Sequence, residues 1–317
     1  MSTSTFATFN QQLIELLDAK ENTQAFELVE KVQAAFPDYI YHITYWRIGV
    51  HALIGKQEEA LQIFRETLES GGWFPPNLLL SDPSFASLQA SPAFQEMVEV
   101  CRLRIAEFQA RARPELLVRQ PVGHVGMPLP LLIGLHGNGD NASKTIEHWS
   151  GIVAHEWLLA IPQSSQLERP DAYVWDDREL AVSEIREHLA KLTSEYSIDF
   201  ERVVLSGFSM GGGQAIWMAL HQLIKTSGFV VLGPWLREAE LEALSALLEI
   251  QIPSGLRGYI LVGEEDHICL DVSCKVVNIM HAHNLPCELE VIPALDHSYP
   301  KDFVDRVISG LTFIEQC

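Results

Sequence analysis

The first third of the chain shows a helical spacing of apolar residues. Between residues 6 and 112, apolar side chains recur every three or four positions, as at Phe9, Leu13 and Leu16, which marks one face of an α-helix. The pattern around residue 25 returns around residue 60, a period of about 35 residues that is close to the ~34 of tetratricopeptide units. We therefore predict an all-α, tetratricopeptide-like domain over residues 1–113.

Two units of this repeat are visible in the sequence, whereas about three are needed for a free-standing array. The simpler interpretation is a layer of helices docked on the neighbouring domain. The alternative is a surface that binds a protein partner or makes an oligomer contact.

From residue 114 onward, short apolar runs alternate with helical stretches. Strands that are apolar throughout and separated by amphipathic helices favour a mostly parallel sheet covered on both faces, so we predict an α/β domain over residues 114–317. The first two strands are close in sequence and are expected to be antiparallel neighbours. The predicted strands are 115–119, 130–135, 157–161, 202–206, 229–232, 258–262 and 287–292, and the predicted helices are 177–196, 211–225, 237–249, 272–284 and 300–315.

Three reactive side chains follow the ends of three of these strands. Ser209 stands in a sharp turn between a strand and a helix, flanked by Gly207 and Gly211 where a Cβ would collide. Asp266 and His297 follow the sixth and seventh strands. Ligands of parallel sheets bind beyond the carboxyl ends of the strands, so we expect the three to meet there.

These residue types suit acyl transfer. A serine hydroxyl is a poor nucleophile until a base takes its proton, and the imidazole of His297 is suited to that task near neutral pH. A carboxylate such as Asp266 fixes the tautomer of the imidazole and stabilises the imidazolium. Asp271 and Asp296 remain alternatives for the acid, and a purely structural turn remains the alternative for Ser209.

A tetrahedral intermediate also needs donors for its oxyanion. The Met210 N–H opens the helix after Ser209, where the helix dipole helps, and Asn138 is expected to give the second backbone N–H from the loop after the second strand. The candidate substrate pocket comprises His136, Gly139, Trp175 and Trp235.

The composition of the chain limits the classes of molecule that it is expected to bind. The formal net charge of −20 repels nucleic acids and anionic membrane surfaces. The five cysteines are odd in number and form no CxxC pair, and the first residues lack the features of a signal peptide. We therefore expect a cytoplasmic protein with no membrane span and no metal site. No cofactor is expected either, because Gly211-Gly212-Gly213 fits neither the GxGxxG fingerprint nor a P-loop. Cys269 and Cys274, near the acid, are interpreted as packing residues.

The order serine, acid, histidine is that of α/β-hydrolases. The region 130–315 resembles the phospholipase/carboxylesterase branch of that superfamily, which includes acyl-protein thioesterases and small bacterial carboxylesterases. The segments that carry the resemblance are LHGNGD (135–140), IPQS (161–164), YVWDD (173–177), IDFER (198–202), LSGFSMGG (205–212), GEED (263–266) and Asp296-His297.

The resemblance implies metal-free hydrolysis of a small-molecule ester or thioester through an acyl-enzyme. Met210 stands where many thioesterases of the branch have glutamine, so ester and thioester both remain open. Two further functions also remain open: a peptidase of the same fold, and a partner-binding helical protein whose hydrolase domain is secondary.

Overall fold

A computed structural model describes residues 6–32, 35–124 and 126–316. The chain folds as two compact units. One comprises Met1–Arg111 with Glu168–Pro170, and the other comprises Ala112–Leu167 with Asp171–Cys317.

The first unit is helical, as predicted. Apolar residues of its first three helices form one buried cluster that includes Phe9, Leu13, Ala25 and Val29. The unit also contains short 3₁₀ turns at Pro37–Tyr39 and Pro83–Leu88. Its α-helices are α1 (Phe6–Asp18), α2 (Asn22–Val32), α3 (Ile40–Leu53), α4 (Gln57–Glu69), α5 (Pro76–Ser81) and α6 (Pro92–Arg111).

The second unit alternates strands and helices. All seven predicted strands are present, and they form one sheet. Numbered along the whole chain, with Glu168 and Arg169 of β4 belonging to the first unit, the strands are β1 (Glu115–Arg119), β2 (Leu129–Leu135), β3 (Leu158–Gln163), β4 (Leu167–Arg169), β5 (Ala172–Tyr173), β6 (Ile198–Phe208), β7 (Gly228–Leu232), β8 (Arg257–Gly263) and β9 (Cys287–Ile292). The helices are α7 (Ala142–Trp149), α8 (Arg178–Glu195), α9 (Met210–Leu220), α10 (Glu238–Ile250), α11 (His267–Ala282) and α12 (Phe303–Ile314), with a 3₁₀ turn at Ser150–His155.

The strand order is β1-β3-β2-β6-β7-β8-β9. Every pair is parallel except β1 with β3, which run antiparallel from Glu115 opposite Gln163 to Arg119 opposite Leu159. The expectation that β1 and β2 are neighbours is therefore wrong. All seven positions of β2 are buried, so it lies inside the sheet between two parallel partners, whereas the partly exposed β1 forms an edge.

Helices cover both faces of this sheet. One buried cluster joins the sheet to α8, α9, α10 and α11, and a second joins the opposite face to α7 and α12. This two-sided burial explains why the strands are apolar throughout. No helix among the described residues combines the length and apolar character that crossing a bilayer requires.

Several elements differ from the sequence prediction, among them β4 and β5, which were not predicted, and α9, which ends at Leu220 rather than near residue 225. Helix α7 was not predicted; Asn141 begins it by accepting the N–H of Lys144 at 2.9 Å. Helix α11 begins at His267 rather than near residue 272, because the Asp266 side chain accepts the N–H of Cys269 and caps the helix there. The earlier start brings Cys269 into the first turn of α11.

A charged cluster joins helices α8, α9 and α10. Glu240 accepts hydrogen bonds at 2.8 Å from the side chains of Arg178 and Arg237, and Arg178 also donates to the buried Gln214. Burial alone would raise the pKa of the Glu240 carboxyl, but the hydrogen bonds from the two arginines outweigh burial and lower the pKa to about 2.

The low pKa of Glu240 predicts an acid-dependent stability. Since the folded pKa lies below the usual 4.5, the cluster stabilises the α/β unit fully above about pH 5, and this stability is lost as the pH falls toward 2. We expect the loss to be about 2–3 kcal/mol. Denaturant unfolding between about pH 2 and 6 measures it. In Glu240→Gln this part of the pH dependence should vanish, and an unchanged pH dependence in that variant would contradict the assignment.

Candidate active site

The turn at Ser209 joins β6 directly to α9. Ser209 has φ +53° and ψ −121°, a conformation that is costly for any residue with a Cβ. Its N–H donates to Leu232 O at 3.0 Å, and its carbonyl accepts from Gly213 and Trp235, each at 3.0 Å. Within the described chain, its side chain caps no N–H of α9. The strained backbone therefore presents a hydroxyl that helix capping does not use.

Glycines make room for this turn. A Cβ on Gly207 would lie 2.5 Å from the carbonyl carbon of Gly211, and a Cβ on Gly211 would lie 2.4 Å from His136 O. Both obstacles are backbone atoms, so no side-chain rearrangement relieves the collision. The prediction that these two positions exclude a Cβ is confirmed.

We expect Gly211→Ala to push the start of α9 away from the loop after β2. Overpacking of this kind costs about 1–3 kcal/mol of stability, and displacement of oxyanion donors by about 1 Å costs on the order of 10²-fold in rate. Thermal unfolding and ester turnover measure the two effects. Gly212→Ala is the matched control, because its Cβ meets no described atom closer than 3.2 Å; equal losses in both variants would contradict this explanation.

His297 and Asp266 form a close pair. His297 Nδ1 lies 2.5 Å from Asp266 Oδ2, and Asp266 is buried while the His297 side chain is 35% exposed. The loops that carry them are tied together where Glu265 N–H donates to Leu295 O at 2.9 Å. They also pass close to each other at Gly263, where a Cβ would lie 2.2 Å from Leu295 O.

The end of β7 links this pair to the serine turn. Leu232, which holds the Ser209 N–H, is followed by Gly233 with φ +48°. A Cβ on Gly233 would lie 3.1 Å from Asp266 Oδ2 and 3.3 Å from His297 Nδ1. The backbone after β7 therefore touches the serine turn on one side and the histidine–aspartate pair on the other.

A second link runs through Phe208. Its ring stacks on the imidazole of His297 with the ring centroids 4.6 Å apart, and Phe208 directly precedes Ser209. The structure thus brings three distant segments of sequence to one edge of the sheet.

The carboxylates of the other two candidates for the acid have different partners. The Asp271 carboxylate forms an ion pair with Lys275 at 3.0 Å and is 66% exposed. Asp296 accepts a hydrogen bond from the Ser298 hydroxyl at 2.5 Å. Of the three candidates, Asp266 is the one for which a hydrogen bond to the His297 ring is found.

The loop after β2 holds Asn138 near the start of α9. Gly139 N–H donates to Tyr173 O at 2.9 Å, and Asp140 N–H donates to Gly137 O at 3.3 Å. These bonds fix the residues around Asn138, which is itself exposed to solvent. The contact of the loop with Gly211 brings it beside the Met210 N–H, so both predicted oxyanion donors belong to segments in direct contact.

His136 supports this loop from inside. It is fully buried, Nδ1 lies 2.9 Å from Gly137 O, and Nε2 accepts the N–H of Ser164 at 3.3 Å. Burial lowers the pKa of His136 to about 4, despite the hydrogen bond to Gly137, so the ring is neutral near pH 7. It therefore holds the loop and does not line an exposed pocket.

The remaining candidates for the substrate pocket fall into two groups, one buried and one half-buried. Trp175 is 2% exposed, stacks on His136 with centroids 4.6 Å apart, and donates from Nε1 to His136 O at 3.0 Å. It is therefore part of the support under the loop. Gly139 and Trp235 are both half-buried, and Trp235 follows the contact between β7 and Ser209, so these two stay candidates for the pocket wall.

Sequence analysis missed the position of Cys269. Its Sγ lies 3.6 Å from His297 Nδ1, and its N–H donates to Asp266 Oδ1 at 3.3 Å. Burial, together with the nearby Asp266 carboxylate, raises the pKa of this thiol. The signal that could have revealed it is Asp266 as a helix cap, because the capped N–H belongs to the third residue after the cap.

Comparisons with known proteins agree with this architecture. Residues 5–109 match the family described as "A/B hydrolase-like, N-terminal domain". No curated protein matches the sequence significantly.

Solved structures match the chain over nearly its whole length or over about two thirds of it. An uncharacterized protein from Bacillus cereus ATCC 10987 is 26% identical, with 98% of this chain and 99% of that chain covered and a TM-score of 0.55. Esterase PE8 is 17% identical over 64% of this chain and 99% of its own, with a TM-score of 0.55. A Bacillus cereus carboxylesterase is 19% identical over 66% of this chain and 99% of its own, with a TM-score of 0.51.

The sheet order, the helical layers and these matches define the class. The chain has an α/β-hydrolase fold, preceded by a helical region whose residues 5–109 match the model of that N-terminal domain.

Proposed function

We propose that this protein is a serine hydrolase that cleaves carboxylic esters through an acyl-enzyme, with Ser209 as nucleophile, His297 as base and Asp266 as the acid. The observation that carries the proposal is the Ser209 turn. Its hydroxyl stands on a strained strand–helix junction and is not used for helix capping. The turn is linked through Phe208 and Gly233 to the bonded His297–Asp266 pair.

In the proposed reaction, the Ser209 oxygen attacks the ester carbonyl as His297 Nε2 takes the hydroxyl proton. Nε2 can accept this proton only while Nδ1 carries the other ring proton. The Nδ1–H donates to Asp266 Oδ2 across 2.5 Å, which favours that tautomer. The same carboxylate then stabilises the imidazolium, which gives its proton to the leaving alkoxide. In the second half of the reaction, His297 activates a water molecule in the same way, and this water hydrolyses the acyl-enzyme.

The negative oxygen of the intermediate would bind to the backbone N–H groups of Met210 and Asn138. Met210 is the first residue of α9, so its N–H is one of those that the helix cannot use internally. Loss of one oxyanion donor typically costs about 3 kcal/mol in the barrier. The exposed position of Asn138 leaves its side of the loop open to a substrate.

The ester class is supported by the resemblance to the phospholipase/carboxylesterase branch. Two structural neighbours are an esterase and a carboxylesterase by name, and at their identity they support the fold of this chain rather than its substrate. A thioesterase and a peptidase use the same set of residues, so substrate turnover must separate them.

The test is a substrate panel on the full chain. We expect kcat/KM for p-nitrophenyl esters to exceed that for matched acyl thioesters and peptide anilides, with a maximum at one acyl-chain length. Faster turnover of the thioester with the same acyl group would replace the ester assignment by a thioesterase. Absence of turnover together with absence of fluorophosphonate labelling would overturn the proposal.

A further inference from the structure

Three different donor atoms meet at the histidine–aspartate pair. A carboxylate oxygen of Asp266, the thiol sulfur of Cys269 and a ring nitrogen of His297 all lie within 4.8 Å of one another. Asp266 and Cys269 are both buried, so two of the three donors belong to residues that are shielded from solvent. A carboxylate, a thiolate and an imidazole together form a donor set that Zn²⁺ prefers over Mg²⁺ or Ca²⁺.

The spacing of these atoms fits a tetrahedral ion on one edge. With Zn–S near 2.3 Å and Zn–N near 2.0–2.1 Å, sulfur and nitrogen in a tetrahedral site are about 3.5 Å apart. The observed distance from Cys269 Sγ to His297 Nδ1 is 3.6 Å. The distance from Nδ1 to Asp266 Oδ2 is 2.5 Å and must open to about 3.4 Å for an ion to enter.

We propose that Cys269, Asp266 and His297 bind Zn²⁺, and that the bound ion switches off the triad. The metal site shares Asp266 and His297 with the proposed triad, and the ester reaction itself uses no metal. Inhibition by Zn²⁺ rests on the proposed role of His297 as base. Binding of Zn²⁺ does not depend on that role.

The position of the ligands in the fold supports binding. Asp266 caps α11, and Cys269 lies in its first turn, so the helix sets the distance between these two ligands. His297 approaches from the loop after β9, which is joined to the Asp266 loop by the hydrogen bond from Glu265 to Leu295. The 35% exposure of the His297 side chain gives the ion and a water molecule, as fourth ligand, a path from solvent.

Binding changes the protons of the site in a defined way. Zn²⁺ takes the place of the thiol proton, which leaves to solvent, and of the Nδ1 proton, which moves to Nε2. An imidazole that binds metal through Nδ1 carries its proton on Nε2. That nitrogen then has no lone pair with which to accept the Ser209 proton, and the hydrogen bond from Nδ1 to Asp266 is gone. Inhibition follows without any contact between the ion and the serine.

The first experiment measures binding in Ser209→Ala, so that activity plays no part. We expect Cd²⁺, a spectroscopic substitute for Zn²⁺, to produce a thiolate-to-metal absorption band that saturates at one ion per chain, and Zn²⁺ to displace it. Adding Cys269→Ser or Cys269→Ala should abolish the band, and adding His297→Gln should weaken Cd²⁺ binding at least about tenfold. Cys274→Ala is the matched control, because that thiol lies on the same helix but is exposed, and it should keep the band.

The second experiment measures inhibition of the wild-type chain by Zn²⁺ in a chelator-buffered ester assay. We expect the half-inhibitory concentration to rise at least about tenfold in Cys269→Ser, relative to the metal-free activity of that variant, and to stay unchanged in Cys274→Ala. A band that survives both Cys269 replacements, or that disappears in Cys274→Ala, would overturn the site. A normal band with no ester turnover in the wild type would instead count against the proposed function alone.

Discussion

Ser209→Ala is expected to abolish covalent labelling by a fluorophosphonate and to lower kcat/KM for esters by at least about 10⁴-fold. The reason is that no second hydroxyl stands at the strained turn between β6 and α9, so the acyl-enzyme cannot form. Intact-protein mass spectrometry detects the phosphonyl adduct, and peptide mapping places it on residue 209 in the wild type.

Ser206→Ala is the matched control for this variant. Ser206 lies on β6, three positions before Ser209; it is fully buried, and its hydroxyl donates a hydrogen bond to Val230 O. Its loss should cost about 1 kcal/mol of stability while labelling persists. Labelling that survives in Ser209→Ala would contradict the nucleophile assignment.

Asp266→Asn is expected to lower kcat by about 10⁴-fold with little change in KM, as for triads in general when the acid becomes an amide. An amide cannot stabilise the imidazolium by charge, and its NH₂ group can favour the tautomer with the proton on Nε2. The asparagine can still accept the Cys269 N–H, as Asp266 does now at 3.3 Å, so the start of α11 should persist. Steady-state kinetics and circular dichroism test both parts.

Two neighbouring acids serve as controls. Asp271→Asn removes an exposed charge that pairs with Lys275, and Asp296→Asn alters a side chain that bonds Ser298. Both are expected to retain activity within about tenfold of the wild type. A larger loss in Asp296→Asn than in Asp266→Asn would move the acid to that position.

The strands could be predicted because each is apolar along its length. A run such as β2, with all positions buried, marks a strand without knowledge of its neighbours. The partner of β1 could not be predicted in this way, because proximity in sequence favours β2 whereas β3 returns through α7 and takes the place beside it. Pairing depends on where the crossover helix packs, which the apolar pattern does not encode.

The same holds for the candidate site. The placement of Ser209, Asp266 and His297 at one edge of the sheet could be predicted because each follows the end of a strand, whereas their catalytic roles stay predictions. The burial of His136 and Trp175 beneath the loop could not, because it depends on how that loop folds over its own residues. The domain boundary at residue 113, the cytoplasmic location and a protein partner for the N-terminal helices stay predictions.

Asp266 serves two neighbours through two different oxygens, one toward the ring of His297 and the other toward the first turn of α11. A descendant with glutamate here keeps the charge but has a chain too long to begin the helix in the same place, and one with serine keeps the cap but loses the charge. Few single substitutions of Asp266 can therefore preserve both the hydrogen bond to His297 and the cap of α11. Evolution of new chemistry on this scaffold has more freedom at half-buried positions such as Trp235, whose hydrogen bond to Ser209 O comes from the backbone N–H and persists whatever the side chain.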